Sequence, residues 1–249
     1  MKSELTFWEH LDELRSVIIR ILAVAFVALI VAFCFKDVMF AVLLAPQHPD
    51  FVTYRWMDGF MPGSLQHIQL INTELAQQFL IHIKAAACVG VIAVSPYVLY
   101  ECFRYISPAL YRNERRCAVW IVVGSYVMFM LGMLFSYFVI FPFTFRFLGT
   151  YQVDPDVVNT ITLESYMSTL LAITLMLGLV FQMPVLSWIL GRVGLIDRSM
   201  MRRCRRHVIV GILVAAAIIT PTSDAFTLLL VSVPMYLLYE LSIFLVKKK

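Results

Sequence analysis

The 249-residue sequence is 61% hydrophobic, contains only 14% charged residues and carries a formal net charge of +4. Its mean hydropathy is +0.84. The chain has too few polar residues to cover the surface of a soluble globular protein, and we therefore expect the bilayer to be its solvent. The apolar residues fall in blocks of roughly 20, about the length a helix needs to cross a hydrocarbon core of about 30 Å. A membrane β-barrel would need short alternating segments, whereas the block from Val17 to Phe35 is interpreted as apolar on every side.

Residues 1–16 are predicted to form an amphipathic helix along the cytoplasmic membrane surface. Apolar residues recur there at three- and four-residue spacing: Leu5, Trp8, Leu11, Leu14 and Ile18. The polar side carries Glu9, Asp12 and Glu13 ahead of Arg15. Such a cluster of carboxylates is unusual on the side of a membrane that normally collects positive charge. A solvated helix face with a local ion pair is the alternative interpretation of these residues.

Six transmembrane helices are predicted, in one membrane domain that covers residues 1–249. They lie near residues 17–35, 75–99, 118–141, 164–190, 207–220 and 225–246. The termini and the connections on their side of the membrane hold 15 Lys and Arg residues, and the alternate loops hold 3. The positive-inside rule therefore predicts that both termini are cytoplasmic.

The fifth predicted span is unusually short. Its apolar run from Val208 to Ile219 would rise only about 18 Å. Either the membrane thins around it, or the fifth and sixth spans form a re-entrant hairpin around residues 220–224. Charge counting cannot separate these alternatives, because both return the C-terminus to the cytoplasm.

Prolines lie within or close to the ends of several predicted spans. They are Pro96, Pro142, Pro184 and Pro234. Each proline removes a backbone donor and favours a bend, so we expect a bent bundle.

Two motifs face the same predicted side of the membrane. One runs from His10 to Arg15 (HLDELR), and the other runs from Pro108 to Arg116 (PALYRNERR). They closely resemble the N-terminal H-L-x-E-L-R motif and the P-A-L-Y-x-x-E-R-R loop of the TatC family, which is the multispanning receptor subunit of the twin-arginine protein translocase. Two long motifs in the correct order and on the same predicted side of the membrane make this a specific resemblance.

The resemblance covers nearly the whole chain. Further positions resemble the family pattern: Ile83-Lys84, Ser95-Pro96, Gly132, Phe141-Pro142, Thr220-Pro221, Asp224 and Pro234-Met235-Tyr236. Two positions depart from it. Gln182 stands where some members have a glutamate, and Leu228 stands where some have a glutamine, so a mechanism that needs a buried charge or a polar contact there is in doubt.

The resemblance implies a site for the paired arginines of a cargo signal peptide, formed by Glu13, Tyr105 and Glu114 with Arg15 beside them. A carboxylate can accept two parallel hydrogen bonds from the planar guanidinium of arginine, and lysine cannot reproduce that geometry. Two carboxylates could therefore select for two arginines.

Polar residues inside the spans are the remaining candidates, because an ionisable group in hydrocarbon is costly. Lys84 can extend its ammonium outward while its neighbour His82 packs in the bundle. Gln182 lies deeper, and it could hydrogen-bond a signal peptide or a partner helix, or equally pair within the bundle. Asp224 joins these candidates through the resemblance.

The resemblance also implies function, partners and location. We expect a Sec-independent protein translocase subunit in the bacterial inner membrane, with a concave bundle that holds a signal peptide. Transport is expected to be driven by the proton-motive force. The expected partners are twin-arginine signal peptides, single-span TatA- and TatB-type proteins, further copies of the chain and membrane lipid, with no nucleic acid and no cofactor.

An ion-coupled small-molecule transporter is the alternative function. It would normally show a midplane ionisable pair or two matching halves, and neither is evident. An enzyme is not expected, because the G-x-S-x-G, H-E-x-x-H and phosphate-loop motifs are missing. The five cysteines have no metal-site or redox spacing, so no metal site is predicted.

Overall fold

A computed structural model of the chain describes residues 7–57, 70–106, 118–151, 154, 160–220 and 224–246. The α-helices in these residues are α1 (Phe7–Cys34), α2 (Lys36–Leu43), α3 (Val52–Met57), α4 (Gln77–Ile106), α5 (Ala118–Phe135), α6 (Phe141–Thr150), α7 (Leu163–Val180), α8 (Met183–Val193), α9 (Arg198–Ile219) and α10 (Ala225–Leu245). A 3-10 helix covers Ala45–Gln47, and a π-helix covers Ser136–Ile140. Strands β1 (Leu70–Ile71) and β2 (Ile161–Thr162) pair in parallel, with Leu70 opposite Ile161 and Ile71 opposite Thr162.

Five helical stretches of the described residues are long and apolar enough to cross a membrane. They are Leu11–Cys34, Gln77–Tyr105, Val119–Thr150, Leu163–Val193 and Ala225–Leu245. The predicted all-α, polytopic membrane fold is therefore confirmed. The fifth predicted span, 207–220, is the second half of α9, whose first half carries arginines 202, 203, 205 and 206. A complete crossing at this position stays a prediction.

The N-terminal segment differs from the sequence expectation. We expected an interfacial helix over residues 1–16 followed by a separate span, but α1 runs without a break from Phe7 to Cys34. Residues 1–6 lie outside the described part of the chain. A single continuous helix couples the carboxylates near its start directly to the membrane-spanning part.

Helices α1 and α4 pack antiparallel, and three contacts define their register. Phe33 stacks on His82 with ring centroids 3.9 Å apart. Closer to the start of α1, a Cβ atom added to Gly90 would lie 2.9 Å from the backbone nitrogen of Leu29. The third contact is an ion pair between Arg20 of α1 and Glu101 of α4. We call the end where α1 begins and α4 ends the proximal end, and the opposite end the distal end.

Polar side chains bind carbonyls that two of the prolines leave without a helical donor. A proline at position i cannot donate to the carbonyl of residue i−4. The carbonyl of Ile92, four residues before Pro96, accepts from the Ser95 hydroxyl at 2.7 Å. The carbonyl of Phe138, four residues before Pro142, accepts from Thr53 at 2.5 Å. These hydrogen bonds allow the prolines in a bilayer, where an unpaired carbonyl would be costly.

Tyrosine hydroxyls hold the distal segment that contains α2 and α3 against the bundle. Tyr137 donates to the carbonyl of Val42 at 2.6 Å, and Tyr166 donates to that of Leu43 at 3.1 Å. Both carbonyls lie in the last turn of α2, and that of Val42 also accepts a backbone N–H at the helix cap. Tyr54, which is buried, donates to Pro46 at 2.7 Å. Burial raises the pKa of the Tyr54 hydroxyl above its ordinary value, so this group remains a donor.

The proximal end brings together the ends of several spans. Phe103 of α4, Ile121 of α5 and Ile189 of α8 form one buried cluster. Helices α9 and α10 are joined there by an ion pair in which Arg205 lies 2.6 Å from Glu240. The end of α4, the end of α8 and the arginine-rich start of α9 therefore lie on one side of the protein.

Substituting Gly90 with alanine is expected to destabilise the α1–α4 contact by about 1–3 kcal/mol, because the added methyl group meets backbone and the helices must separate. Gly124→Ala in α5 is the matched control, since a Cβ there meets nothing within 4 Å and alanine favours a helix by about 0.5–1 kcal/mol. Thermal unfolding of the purified chains in detergent measures the difference. Equal unfolding temperatures for the two variants would contradict this description of the interface.

Candidate functional site

A buried carboxylate lies at the proximal end between two arginines. Glu101 is only 3% exposed. Its Oε2 atom accepts a hydrogen bond from Nη2 of Arg20 at 3.2 Å, and its Oε1 atom lies 3.6 Å from Nη1 of Arg104. Burying a carboxylate is costly unless cations and hydrogen bonds compensate for the lost water. Each oxygen of Glu101 thus faces a different guanidinium.

The same register brings two of the predicted signal-peptide residues towards each other. Glu13 precedes Arg20 by seven residues, which is two turns or about 10 Å along the same face of α1. Tyr105 follows Glu101 by four residues, which is one turn or about 6 Å along α4. Both side chains are half-buried. Because α1 and α4 are antiparallel, both residues lie beyond the Arg20–Glu101 pair at the proximal end.

The other two predicted members of this site are Arg15 and Glu114. Arg15 is exposed on α1, two residues after Glu13. Glu114 lies outside the described residues, in the loop 107–117 that follows α4. The combination of Glu13 with Glu114 stays a prediction.

Gln182 lies apart from the proximal site. It is 8% exposed and occupies the short break between α7 and α8. Its Nε2 atom donates to the carbonyl of Ser125 in α5 at 2.9 Å. The described contacts therefore use this amide for pairing within the bundle, which is one of the two possibilities that the sequence left open.

Lys84 also lies apart from the proximal site, towards the distal end. Its Nζ atom lies 2.6 Å from Oε1 of Glu164, the second residue of α7. Ser168 donates to the same oxygen at 2.9 Å. Below this ion pair, α4 and α7 border an open, mainly apolar groove of about 400 Å³, whose lining includes Ala87, Val91, Leu171, Ala172 and Leu175.

Asp224 is an N-cap residue in the structure. Its Oδ1 atom accepts from the backbone N–H of Thr227 at 2.7 Å, which satisfies one of the free donors at the start of α10. This role explains an acidic residue at the distal end of the last span without a ligand.

Arg20 and Glu101 are not among the site residues predicted from the sequence. The interpretation of 17–35 as apolar on every side is wrong at Arg20. Both residues had a signal in the sequence, because a charged residue within or next to an apolar span normally has a partner. The pairing itself depends on the register of α1 against α4, which hydrophobicity does not give.

Clusters suited to a metal ion are not found among the described residues: no three His, Cys, Asp or Glu side chains come together. His82 is instead enclosed by aromatic rings, stacked on Phe33 and edge-on to Phe40 at 5.7 Å. The polar groups described above therefore contribute ion pairs, caps and helix contacts.

Comparisons with known proteins identify the family. The model of the family "Sec-independent protein translocase protein (TatC)" matches residues 9–234. The chain belongs to the TatC family. The TatC protein of Aquifex aeolicus is 33% identical over 96% of this chain and 93% of its own length. That of a Blattabacterium strain is 30% identical over 98% of this chain and 96% of its own length.

A solved structure agrees with this assignment. A crystal structure of the twin arginine translocase receptor TatC superposes with a TM-score of 0.80, at 33% identity over 95% of this chain and 97% of that chain. The resemblance to TatC and the assignment to Sec-independent protein translocation are thus confirmed, and the small-molecule transporter is not favoured. The proximal site lies within the matched region.

The cap of α10 can be tested through Asp224. Replacement by alanine removes the acceptor for the Thr227 N–H and should lower the free energy of unfolding by about 1 kcal/mol, while Asp224→Asn, which can still accept, should lower it by less. Thermal unfolding of the two variants in the same detergent measures this. An asparagine variant that is no more stable than the alanine variant would show that the cap does not explain the residue.

Proposed function

We propose that this chain is the receptor subunit that binds twin-arginine signal peptides of folded proteins, and that it does so without catalysing a reaction. One observation carries the proposal. The antiparallel register of α1 and α4 brings Glu13 and Tyr105 to the same end of the bundle, next to the start of the loop 107–117 that contains Glu114. The motif around Glu13 and the end of α4, from which the chain continues to Glu114, therefore lie at one end of the protein.

The chemistry of the signal fits this end of the protein. Each arginine of the pair presents a planar fork of donors that one carboxylate can accept. Such charge-assisted hydrogen bonds contribute about 1.5–3 kcal/mol each. Arg15 is exposed beside Glu13 on α1.

The proximal end is proposed to face the cytoplasm of a bacterium, with the chain in the inner membrane. Support comes from the distribution of charge, since the start of α9 with its arginines 198, 202, 203, 205 and 206 lies at this end and the positive-inside rule places such segments in the cytoplasm. A signal peptide that arrives from the cytoplasm would then meet Glu13 first. The apolar part of the signal has a candidate path in the groove between α4 and α7.

Partners of the TatA and TatB type are proposed to pack along α9 and α10. The two helices border an apolar groove of about 290 Å³, whose lining includes Ile209, Leu213, Val233 and Leu237, with Ser232 and Tyr236 as polar members. A single-span helix with small residues could pack there. Further copies of this chain complete the proposed receptor complex, and the proton-motive force supplies the energy.

Photo-crosslinking from residue 114 tests whether the loop after α4 contacts the arginine pair. A photoreactive amino acid at this position is expected to label a twin-arginine signal peptide strongly and a twin-lysine peptide weakly, because lysine lacks the planar fork. Labelled peptide is quantified after ultraviolet irradiation of membranes that contain the full chain. Equal labelling by the two peptides would refute the assignment of Glu114.

The role of Glu13 is tested with its neighbour as the control. Glu13→Gln removes one charge-assisted acceptor and should weaken binding of a twin-arginine peptide by about tenfold, since a hydrogen bond to a charged group contributes about 1.5–3 kcal/mol. Asp12→Asn removes the same charge from an exposed position on a different face of α1 and should change binding by less than about twofold. Fluorescence anisotropy of labelled peptide with the purified chain measures both. Equal losses for the two variants would mean that general negative charge, and not Glu13, attracts the peptide.

A further inference from the structure

The Arg20–Glu101 pair joins α1 and α4 close to the proposed signal-peptide site. Glu101 is 3% exposed, and its oxygens face Arg20 and Arg104. The side chain of Arg20 is 42% exposed and that of Arg104 is 55% exposed. The carboxylate is thus the fixed, buried member of the group, and it is too enclosed to bind a peptide arginine directly.

Apolar packing alone defines the position of α1 on the bundle only weakly. Val17 is buried, and it is the one fully buried side chain among those described on α1. Large apolar side chains such as Leu22, Phe26 and Val27 face outward. In lipid, apolar surface gains little by moving from acyl chains to protein, so these side chains do not define a rotation or a height for the helix. A buried ion pair does define them, because a shift of one residue would separate the charges.

The three contacts that hold α1 against α4 act at different heights. The close approach at Gly90 and the stack of Phe33 on His82 lie in the middle and at the distal end. Arg20 and Glu101 act at the proximal end, two turns from Glu13 and one turn from Tyr105. Loss of this pair would leave the distal contacts in place and release the segment that carries Glu13.

We propose that Glu101 is a positioning residue of the signal-peptide site. By holding Arg20 it fixes the rotation and height of α1 against α4, and so it sets the distance between Glu13 and the end of α4, where Tyr105 lies and the loop 107–117 begins. The inference rests on the proposed function and extends it, since discrimination between arginine and lysine requires both halves of the site at a defined separation. Neither Glu101 nor Arg20 needs to touch the peptide.

A double-mutant cycle on peptide binding tests this role. The purified full chain and the variants Arg20→Gln, Glu101→Gln and the combination of both are titrated with labelled twin-arginine and twin-lysine peptides. Each single variant is expected to bind the twin-arginine peptide about tenfold more weakly and to lose most of its preference over twin-lysine. The double variant should bind like either single variant, because the first substitution already releases α1.

The ion pair of Arg205 with Glu240 supplies the matched control. It also joins two helices at the proximal end, with a 2.6 Å contact between α9 and α10. Glu240→Gln should lower the unfolding temperature without changing the preference for the twin-arginine peptide. A loss of preference in this variant equal to that in Glu101→Gln would overturn the proposal, since any destabilisation of the end would then suffice.

Distance measurements provide a second readout. Spin labels at positions 11 and 100, both exposed, report on α1 and α4 in a chain whose other cysteines are replaced. Glu101→Gln should broaden or shift their distance distribution, and Glu240→Gln should not. An unchanged distance distribution in Glu101→Gln would overturn the positioning role. So would a loss of affinity in the double variant equal to the product of the losses in the two single variants. Should Glu101→Gln fail to insert, Arg20→Gln carries the same test from the other helix.

Failure of the proposed function has a different signature. It would appear in the unaltered chain as equal affinity for the twin-arginine and twin-lysine peptides, before any variant is compared. Failure of the positioning role would appear as full preference in the unaltered chain and in the single variants alike. The two results cannot be confused.

Discussion

The packing of α1 along α4 is the constraint on which the proximal site depends. In a bilayer the hydrophobic effect does not drive helices together, so close backbone approach and polar contacts decide their arrangement. Gly90 allows the backbone of α4 to approach that of α1, and the Arg20–Glu101 pair fixes where along the helices this happens. The positions of Glu13 and Tyr105 follow from that register. A site divided between two helices is only as well defined as the contact that joins them.

The same principle of satisfying polar groups inside the membrane governs the rest of the fold. Ser95 and Thr53 donate to carbonyls left free by prolines, and Tyr137 and Tyr166 donate to carbonyls in the last turn of α2. These hydrogen bonds permit irregular backbone, such as the π-helix Ser136–Ile140 before Pro142, within a long span. The distal segment is thereby joined to the spans by specific donors and acceptors.

Charges on the two ends serve different purposes. At the distal end, Lys84 with Glu164 and Asp224 with the start of α10 are satisfied by partners in the chain. At the proximal end, Glu101 is satisfied by Arg20 and Arg104, while Glu13 is half-buried on the same side of the protein as the end of α4. This difference is the reason that we place the peptide site at the proximal end. The family assignment gives the function, and the packing of α1 against α4 is the basis for the residues proposed to position the site.

Much of this protein was determined by the sequence alone. Hydrophobic blocks of roughly spanning length predict the all-α membrane fold, because only helices of that length satisfy their backbone in lipid, and the two motifs around Glu13 and Glu114 predict the TatC family. What only the tertiary structure decided is how these elements meet: the unbroken α1, the break at Gln182 with its bond to Ser125, and the partnership of Arg20 with Glu101. Hydrophobicity does not determine the rotation or register of a helix in lipid, since every apolar face is equally acceptable there. Contacts between residues 81 positions apart are defined only when the helices pack.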